Sequence, residues 1–377
     1  MRRGAVGKGM DVYLFLAGMM LLSELAREQG VFDWVAAASL KNAHGSATRL
    51  FVLVYVAGVA VTALLSNDAT AVVMTPAVLA SLKDTGKSDP APYLFACAMT
   101  ANAAGCLLPI SNPANLVVFA QNMPPLGKWL EIFLLPSVAA IATVFVVLRW
   151  WFRRELRAGL GSVQETQQPL SASGRWVVAG LGVVTAVLLT CSALRVDLGA
   201  PTCACALAMV LVVCARGKRG GMGGRLARVV QGVSWSVLPL VAGLFCVVEA
   251  VSNAGLAHVA VGWMEQMAKL PHAAGVMGVG FGLGVIDNAV NNLPVGLMAG
   301  AAVQQSGVHG AQAYAALLGV DLGPNFSVTG SLATILWLMR VRHAGVKMSG
   351  ASFLRVGAVA MPLSLAAALG VLLLMQR

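Results

Sequence analysis

A chain of 377 residues that is 58% hydrophobic and only 11% charged lies far below the roughly 25% charged content of an average soluble domain, which excludes an ordinary soluble enzyme. The net charge of +11 does not mark a nucleic-acid binder, because the basic residues fall in short loops between apolar runs and not on one soluble face. The seven cysteines are scattered mostly through apolar runs, Cys203 and Cys205 two apart, with no disulfide framework; the five histidines lack metal-ligand spacing, and Gly86-Lys87-Ser88 has Ser81 where a phosphate loop needs its first glycine. No cofactor and no metal is expected.

Taken in chain order, apolar runs near 10–26, 49–65, 93–120, 129–151, 176–194, 199–215, 233–251, 311–339 and 352–375 are long enough, or nearly so, to cross about 30 Å of hydrocarbon at about 1.5 Å per residue. They predict an all-α, polytopic bundle in the cell inner membrane. Segments 31–43 and 256–268 are short and amphipathic, and 152–175 is a polar linker expected on the cytoplasmic side. With that linker inside, the cytoplasmic face also receives Arg27, Lys41, Arg49, Lys83, Lys87, Arg149, Arg216, Lys218, Arg219, Arg225, Arg228, Arg340, Arg342, Lys347 and Arg355, against Lys128, Arg195, Lys269 and Arg377 outside. Arg2, Arg3 and Lys8 are discordant, falling outside.

The chain repeats itself at an offset of 225 positions: Leu16-Ala17-Gly18 answers Val241-Ala242-Gly243, Glu24 answers Glu249, Gly30 answers Gly255 and Asn67 answers Asn292. Residues 1–151 form a first repeat, 152–175 the linker and 176–377 a second repeat. Two runs precede the second copy and none precedes the first, so two leading helices are expected to be missing from the first half. An odd number of crossings separates the copies, which gives them opposite orientations, the plan of many secondary transporters.

Each repeat carries an apolar stretch broken by a polar cluster: 49–82 breaks at Ser66-Asn67-Asp68, and 273–303 breaks from Asp287 through Asn291 and Asn292 to Pro294. Each piece reads as too short to cross comfortably, so both stretches are expected to be re-entrant helical hairpins with polar tips meeting near mid-bilayer. A second interrupted run follows in each half, carrying Asn102, Gly105, Pro109, Ser111, Asn112, Pro113 and Asn115, and then Asp321, Gly323, Pro324, Asn325, Ser327, Thr329, Gly330, Ser331 and Thr334. Glycine and proline unwind such runs, leaving half-helix N-termini that favour an anion or polar neutral solute, and free carbonyls that suit a cation. Polar residues in membrane helices are also packing devices, but four clusters at repeat-related positions point to one small polar substrate. Asp68, Asp287 and Asp321 are candidate proton carriers, Asp321 foremost, with helix capping as the structural alternative; Glu24 and Glu249, near run ends, read as hydrated or hydrogen-bonded structural acids.

Asp321-Leu-Gly-Pro324, Gly330-Ser-Leu-Ala-Thr-Ile-Leu-Trp337 and Phe353-Leu-Arg355 resemble the C-terminal signature of ArsB-type arsenite/antimonite efflux permeases, and Asn67-Asp68 through Thr75-Pro76 and Asn291-Asn292-Leu-Pro294 resemble that family's hairpin tips. The resemblance spans about residues 10–375. It places the chain in an ion-transporter superfamily that includes citrate and dicarboxylate carriers, and implies a scaffold, transport domains with two re-entrant hairpins, and export of trivalent arsenic or antimony hydroxide by proton antiport. A soluble ATPase serves as partner to some members, and elevator-type relatives are often dimers. The candidate site carried over is Asn67, Asp68, Asn291, Asn292, Asp321, Gly330 and Ser331. Where the family reads Ala-Asp-Thr-Ala-Ser and Val-Ser-Asn-Leu-Val-Asn, this chain has Asn102-Ala-Ala-Gly105 and Ser111-Asn112-Pro113-Ala-Asn115, lacking the acid and carrying a proline that resembles the wider superfamily. A sodium-coupled di- or tricarboxylate symporter is therefore the rival expectation. An intramembrane aspartyl protease would need Gly-x-Gly-Asp, whereas the chain reads Gly282-Leu-Gly284-Val-Ile-Asp287.

Overall fold

The apolar runs form helices whose breaks fall at the polar clusters. A computed structural model describes residues 2–83, 89–119, 122–158, 160, 169–216 and 221–376. Gly86-Lys87-Ser88, Lys218, Arg219, Arg377 and linker residues 161–168 lie outside the described residues. The first half contains α1 (Arg2–Glu28), α2 (Val31–Asn42), α3 (Ala47–Leu64), α4 (Thr75–Lys83), α5 (Ala91–Ala103), α6 (Pro113–Phe119) and α7 (Leu126–Trp151). After the linker come α8 (Ala172–Ala193), α9 (Gly199–Arg216), α10 (Gly221–Gly232), α11 (Val237–Val251), α12 (Ala257–Lys269), α13 (His272–Val290), α14 (Asn292–Ser306), α15 (Ala311–Leu322), α16 (Leu332–His343) and α17 (Gly350–Met375).

Local chemistry sets these boundaries. Gly30 turns the chain between α1 and α2 at φ 71°, a conformation that costs glycine nothing. Ser46 caps α3 by accepting the Arg49 N–H, and Ser331 and Ser349 open α16 and α17 with reciprocal capping boxes. The second hairpin turns on one residue, Asn291 at φ 89°, whose side chain accepts the Leu293 N–H. The expected break from Asp287 to Pro294 is thus narrower than its sequence suggests: Asp287 belongs to the last turn of α13, and Pro294 to the first turn of α14, where its missing N–H costs no helical bond.

The hairpin arms also correct an expectation. With 18 and 19 residues, α3 and α13 are long and apolar enough to cross a membrane, so shortness is not what makes these segments re-entrant. Packing does so instead. Helix α2 lies against both α3 and α4, and α12 against both α13 and α14, so each returning arm ends beside the amphipathic helix that leads into its partner. In the first hairpin a π-helical stretch, Ala69–Met74, precedes α4; the Thr62 and Thr70 hydroxyls meet at 2.8 Å and Thr70 donates to the Gly58 carbonyl at 3.3 Å.

Equivalent elements recur in order through the two halves, down to Pro136 inside α7 and Pro362 inside α17, helices that pack along each other. The inversion is visible at the breaks. The 67–83 arm and α16 run together from the tips toward Arg340, while α6 and α14 run together the other way. Gly300 permits that second contact, since a Cβ there would meet the Val118 carbonyl at 2.5 Å. One element has no counterpart in the sequence reading: the basic, glycine-rich stretch after α9 forms α10, held by Arg225 donating from Nε to the Cys214 carbonyl at 3.1 Å and by an Arg228–Glu28 ion pair at 3.1 Å.

Candidate functional site

The starts of four helical segments converge on one point. Asn67 and Asp68 open the returning arm of the first hairpin, Asn112 and Pro113 the short α6, Asn292 and Leu293 the helix α14, and Ser331 and Leu332 the helix α16; all of them line one small cavity of about 10 Å³, room for about one water. A much larger cavity of about 510 Å³ reaches the same place from Ser66, Asp68 and Pro113, passing along Val73, Pro76 and Ala80 to a mouth at Arg27, Asp33 and Arg340. Arg27 and Arg340 fall on the face that the basic-residue distribution assigns to the cytoplasm. The larger cavity therefore opens on the side of Arg27 and Arg340.

Helix starts carry partial positive charge from unpaired N–H groups, and the tip residues cap some of these donors. Ser66 Oγ accepts the Ala69 N–H at 3.2 Å, Asn67 Oδ1 accepts the Asp68 N–H at 2.9 Å, and Asn112 Oδ1 accepts the Ala114 N–H at 3.1 Å. Three groups are left without a protein hydrogen bond among the described residues: Asn67 Nδ2, the Asp68 carboxylate and the Asn292 amide. All three belong to residues lining the small cavity, and together they offer donors and acceptors to a polar solute. No lysine or arginine lines that inner cavity.

Behind this cradle lies a buried network joining the two repeats. Asn112 Nδ2 donates to Asp321 Oδ1 at 2.8 Å, and the Cys106 thiol donates to Asp321 Oδ2 at 3.1 Å. Asn102 Nδ2 donates to Asn325 Oδ1 at 3.0 Å, Asn325 Nδ2 to the Met99 carbonyl at 3.2 Å, and the Ser331 hydroxyl to Asn102 Oδ1 at 3.3 Å. These bonds tie the break of the first repeat to that of the second, so the two breaks hold each other in register. Ser111 donates to the Ala63 carbonyl at 3.2 Å, and its own carbonyl accepts the Asn67 N–H at 2.9 Å, fastening the first hairpin tip to this block. Asn115 Nδ2 reaches the carbonyls of Gly105, Leu108 and Pro109, satisfying backbone that the break has freed.

The sequence-derived candidates thus divide by position. Ser66, Asn67, Asp68, Asn112, Asn292 and Ser331 line the cavities. Asn102, Ser111, Asn115 and Asp321 stand behind them, and Thr334 closes the Ser331 cap, its hydroxyl also donating to the Val328 carbonyl at 2.8 Å. Asn291 Nδ2 donates to the Thr329 carbonyl at 3.3 Å, joining the second hairpin to the α15–α16 break. Thr329 itself is exposed and donates to the Asn288 carbonyl at 2.7 Å, and Gly330 is a close-packing position whose Cβ would meet Pro324 Cα at 2.6 Å. Asp287 is buried away from both cavities.

Three residues outside the candidate set emerge with structural roles. Cys106 and Asn325 complete the inter-repeat network, and Asn288 accepts the Ser327 N–H at 3.0 Å while donating to the Gly323 carbonyl at 3.1 Å. Asn325 and Asn288 stood in the polar clusters but carried no motif; nothing in sequence pairs Cys106 with Asp321 across 215 positions. Glu24 is the hydrogen-bonded acid expected of it, accepting from Arg27 Nε at 2.8 Å at the cavity wall.

Inverted halves, paired re-entrant hairpins and a cavity made by discontinuous helices define a membrane transporter. The chain belongs to the citrate transporter family, whose profile matches residues 4–320. It is 29% identical over 348 residues to an arsenical pump membrane protein of Yersinia enterocolitica, covering 90% of this chain and 81% of that protein. A second arsenical pump membrane protein, from Escherichia coli K12, is 29% identical over 355 residues with the same coverage. These relatives support the resemblance to arsenite permeases carried by the motifs. The YdaH transporter of Alcanivorax borkumensis, whose solved structure was described as having an unusual topology, shares the fold at 14% identity with a TM-score of 0.52, covering 96% of this chain and 84% of that one. The protein is accordingly a multi-pass transporter, of the inner membrane in bacteria.

Proposed function

We propose that this transporter exports a small trivalent metalloid hydroxide, arsenite or antimonite, in exchange for protons. The observation that carries the reading is the cradle of Asn67, Asp68 and Asn292, whose free amides and carboxylate are complementary to the hydroxyls of As(OH)₃ or Sb(OH)₃. Such a solute is uncharged near neutral pH and needs no compensating cation, and the inner cavity has none. The Asp68 carboxylate would accept a hydroxyl hydrogen from a neutral solute but would repel a carboxylate. The two relatives named as arsenical pump membrane proteins support this reading.

The proposed cycle is alternating access. The solute enters from the cytoplasm through the 510 Å³ cavity and settles at its inner end beside Ser66 and Asp68; the space between the tips, with room for about one water, widens to admit it. A carboxylate among Asp68, Asp287 and Asp321 then exchanges a proton between the two states, so that inward proton movement drives outward solute movement. Residues of both hairpins and both breaks take part.

The second reading is a sodium-coupled di- or tricarboxylate symporter. It is favoured by the four converging helix starts, which suit an anion, and by the family's description as citrate transporters. Uptake into everted membrane vesicles separates the two. Arsenite or antimonite accumulation driven by an imposed proton gradient, with no response to sodium, is the expected result; sodium-driven succinate accumulation without metalloid transport would replace the export reading by the carboxylate one.

A further inference from the structure

Among the described residues one buried acid has no partner at all. Asp287 is fully buried, and neither of its carboxyl oxygens has a hydrogen-bond partner. Asp321, equally buried, receives Asn112 on one oxygen and Cys106 on the other. Hydrogen bonds to a carboxylate stabilise its ionised form, and their absence in an apolar site disfavours it. The two acids therefore differ in their partners: Asp321 is held by two donors, and neither oxygen of Asp287 is held by any among the described residues.

The surroundings of Asp287 explain why its neutrality would matter. It lies in the last turn of α13, and its carbonyl accepts the Asn291 N–H at 2.7 Å; Asn291 is the hinge of the second hairpin, and the adjoining Asn292 lines the substrate cavity. On its other side the backbones close in. A Cβ on Gly323 would meet Asp287 Oδ2 at 2.6 Å and Gly284 Cα at 2.6 Å, so α13 packs closely against the α15–α16 break here. Of the elements packed on this part of α13, α15 contributes Asp321 as the acid whose charge reaches Asp287; the α15–α16 break, Gly323 to Gly330, contains no ionisable side chain. On α12, α14 and α17 the ionisable groups, namely His258, Glu265, Lys269 and Arg355, lie toward the helix ends, with Glu265, Lys269 and Arg355 solvent-exposed.

We propose that Asp287 is the proton-carrying residue, and that its protonation locks the second hairpin shut against the α15–α16 break while the substrate site faces the cytoplasm. A proton taken up from the outer side neutralises Asp287 and lets this seal form. Its release to the cytoplasm leaves a bare carboxylate in the seal, which favours opening of the hairpin toward the outside, where the carboxylate is hydrated; the solute loaded from the cytoplasm leaves by that opening. The O–H bond broken on release is remade by the next external proton, so one proton enters for each cycle. This deepens the proton-antiport reading and rests on it.

Everted vesicles carrying wild type, Asp287→Asn and Asp321→Asn test it with radiolabelled antimonite. Two assays are run, exchange of labelled against unlabelled antimonite at equal pH, and accumulation driven by a proton gradient. The antiport reading itself fails if wild type shows no gradient-driven accumulation. Given that wild type does, Asp287→Asn, neutral at every pH and so held shut toward the outside, is expected to lose both exchange and gradient-driven accumulation by about tenfold or more while still binding antimonite, whereas Asp321→Asn keeps both in part and with the wild-type dependence on pH. Retention of gradient-driven accumulation by Asp287→Asn would overturn the assignment. Should Asp287→Asn fail to reach the membrane, Asp287→Glu decides: a displaced pH midpoint of transport at unchanged half-saturation supports proton carrying at this position, and an unchanged midpoint refutes it.

Discussion

Asp321→Ala is expected to abolish transport and to destabilise the protein markedly, although Asp321 lines neither cavity. The side chain is the common acceptor of Asn112 Nδ2 at 2.8 Å and the Cys106 thiol at 3.1 Å, and truncation leaves the Asn112 amide buried and unpaired and the thiol with only the Leu317 carbonyl at 4.0 Å. An orphaned buried donor costs about 1–3 kcal/mol, and hydrogen bonds to charged groups are worth about 1.5–3 kcal/mol each, so a loss of about 3 kcal/mol or more is expected. The functional loss follows from geometry: Asn112 is the residue at which the first-repeat break meets the cavity, and without Asp321 nothing from the second repeat holds its amide. Asp321→Asn keeps an acceptor for Asn112 and is expected to retain a substantial part of both stability and transport. Thermal unfolding in detergent, paired with vesicle uptake, checks both variants; wild-type uptake by Asp321→Ala would show that the inter-repeat network does not position the site.

Gly357→Ala is expected to have a comparable effect from still further away. Gly357 lies on α17 against the backbone of the α15–α16 break, where a Cβ would collide with the carbonyl oxygens of Asn325 and Phe326. Backbone carbonyls cannot turn aside as a flexible side chain can. The helix or the break must therefore move, at a cost of about 1–3 kcal/mol or more, and Asn325 carries with it the bond to Asn102 at 3.0 Å. Gly370, on the same helix, has open space where its Cβ would go, and Gly370→Ala is expected to be neutral or to stabilise by up to about 1 kcal/mol. Measuring both in the same expression and unfolding assay separates backbone collision from loss of glycine as such. Equal behaviour of the two variants would remove the steric argument.

Much of this architecture was legible because membrane helices interrupt themselves only with particular residues. The Asn67–Asn292 correspondence found both hairpin tips, and the prolines and glycines around Asn112 and Pro324 found both broken helices. The direction of each repeat followed from counting crossings. Arm length was misread: composition alone cannot tell an 18-residue arm that returns from one that crosses, since the difference lies in the contact of α2 with both α3 and α4. Nor could sequence divide the polar residues into those facing the cavity and those behind it. Asn112 and Asn115 are three apart, yet one lines the site and the other holds freed carbonyls, because the chain between Gly105 and Pro113 leaves helical geometry. The carboxylates show the same limit. Asp287 and Asp321 look alike in an apolar run, and only the tertiary partners of Asp321 distinguish them.

In the proposed cycle the tips of both inverted repeats form one site for a neutral solute. Its most direct test is calorimetric titration of the purified transporter with antimonite in sodium-free buffer, comparing wild type with Asn67→Ala and Asn292→Ala. Each amide supplies a hydrogen bond worth about 0.5–1.5 kcal/mol net, so each single variant should bind several-fold more weakly, and the double variant should show no measurable binding. Wild-type affinity in the double variant, or binding of succinate and not antimonite, would contradict the account.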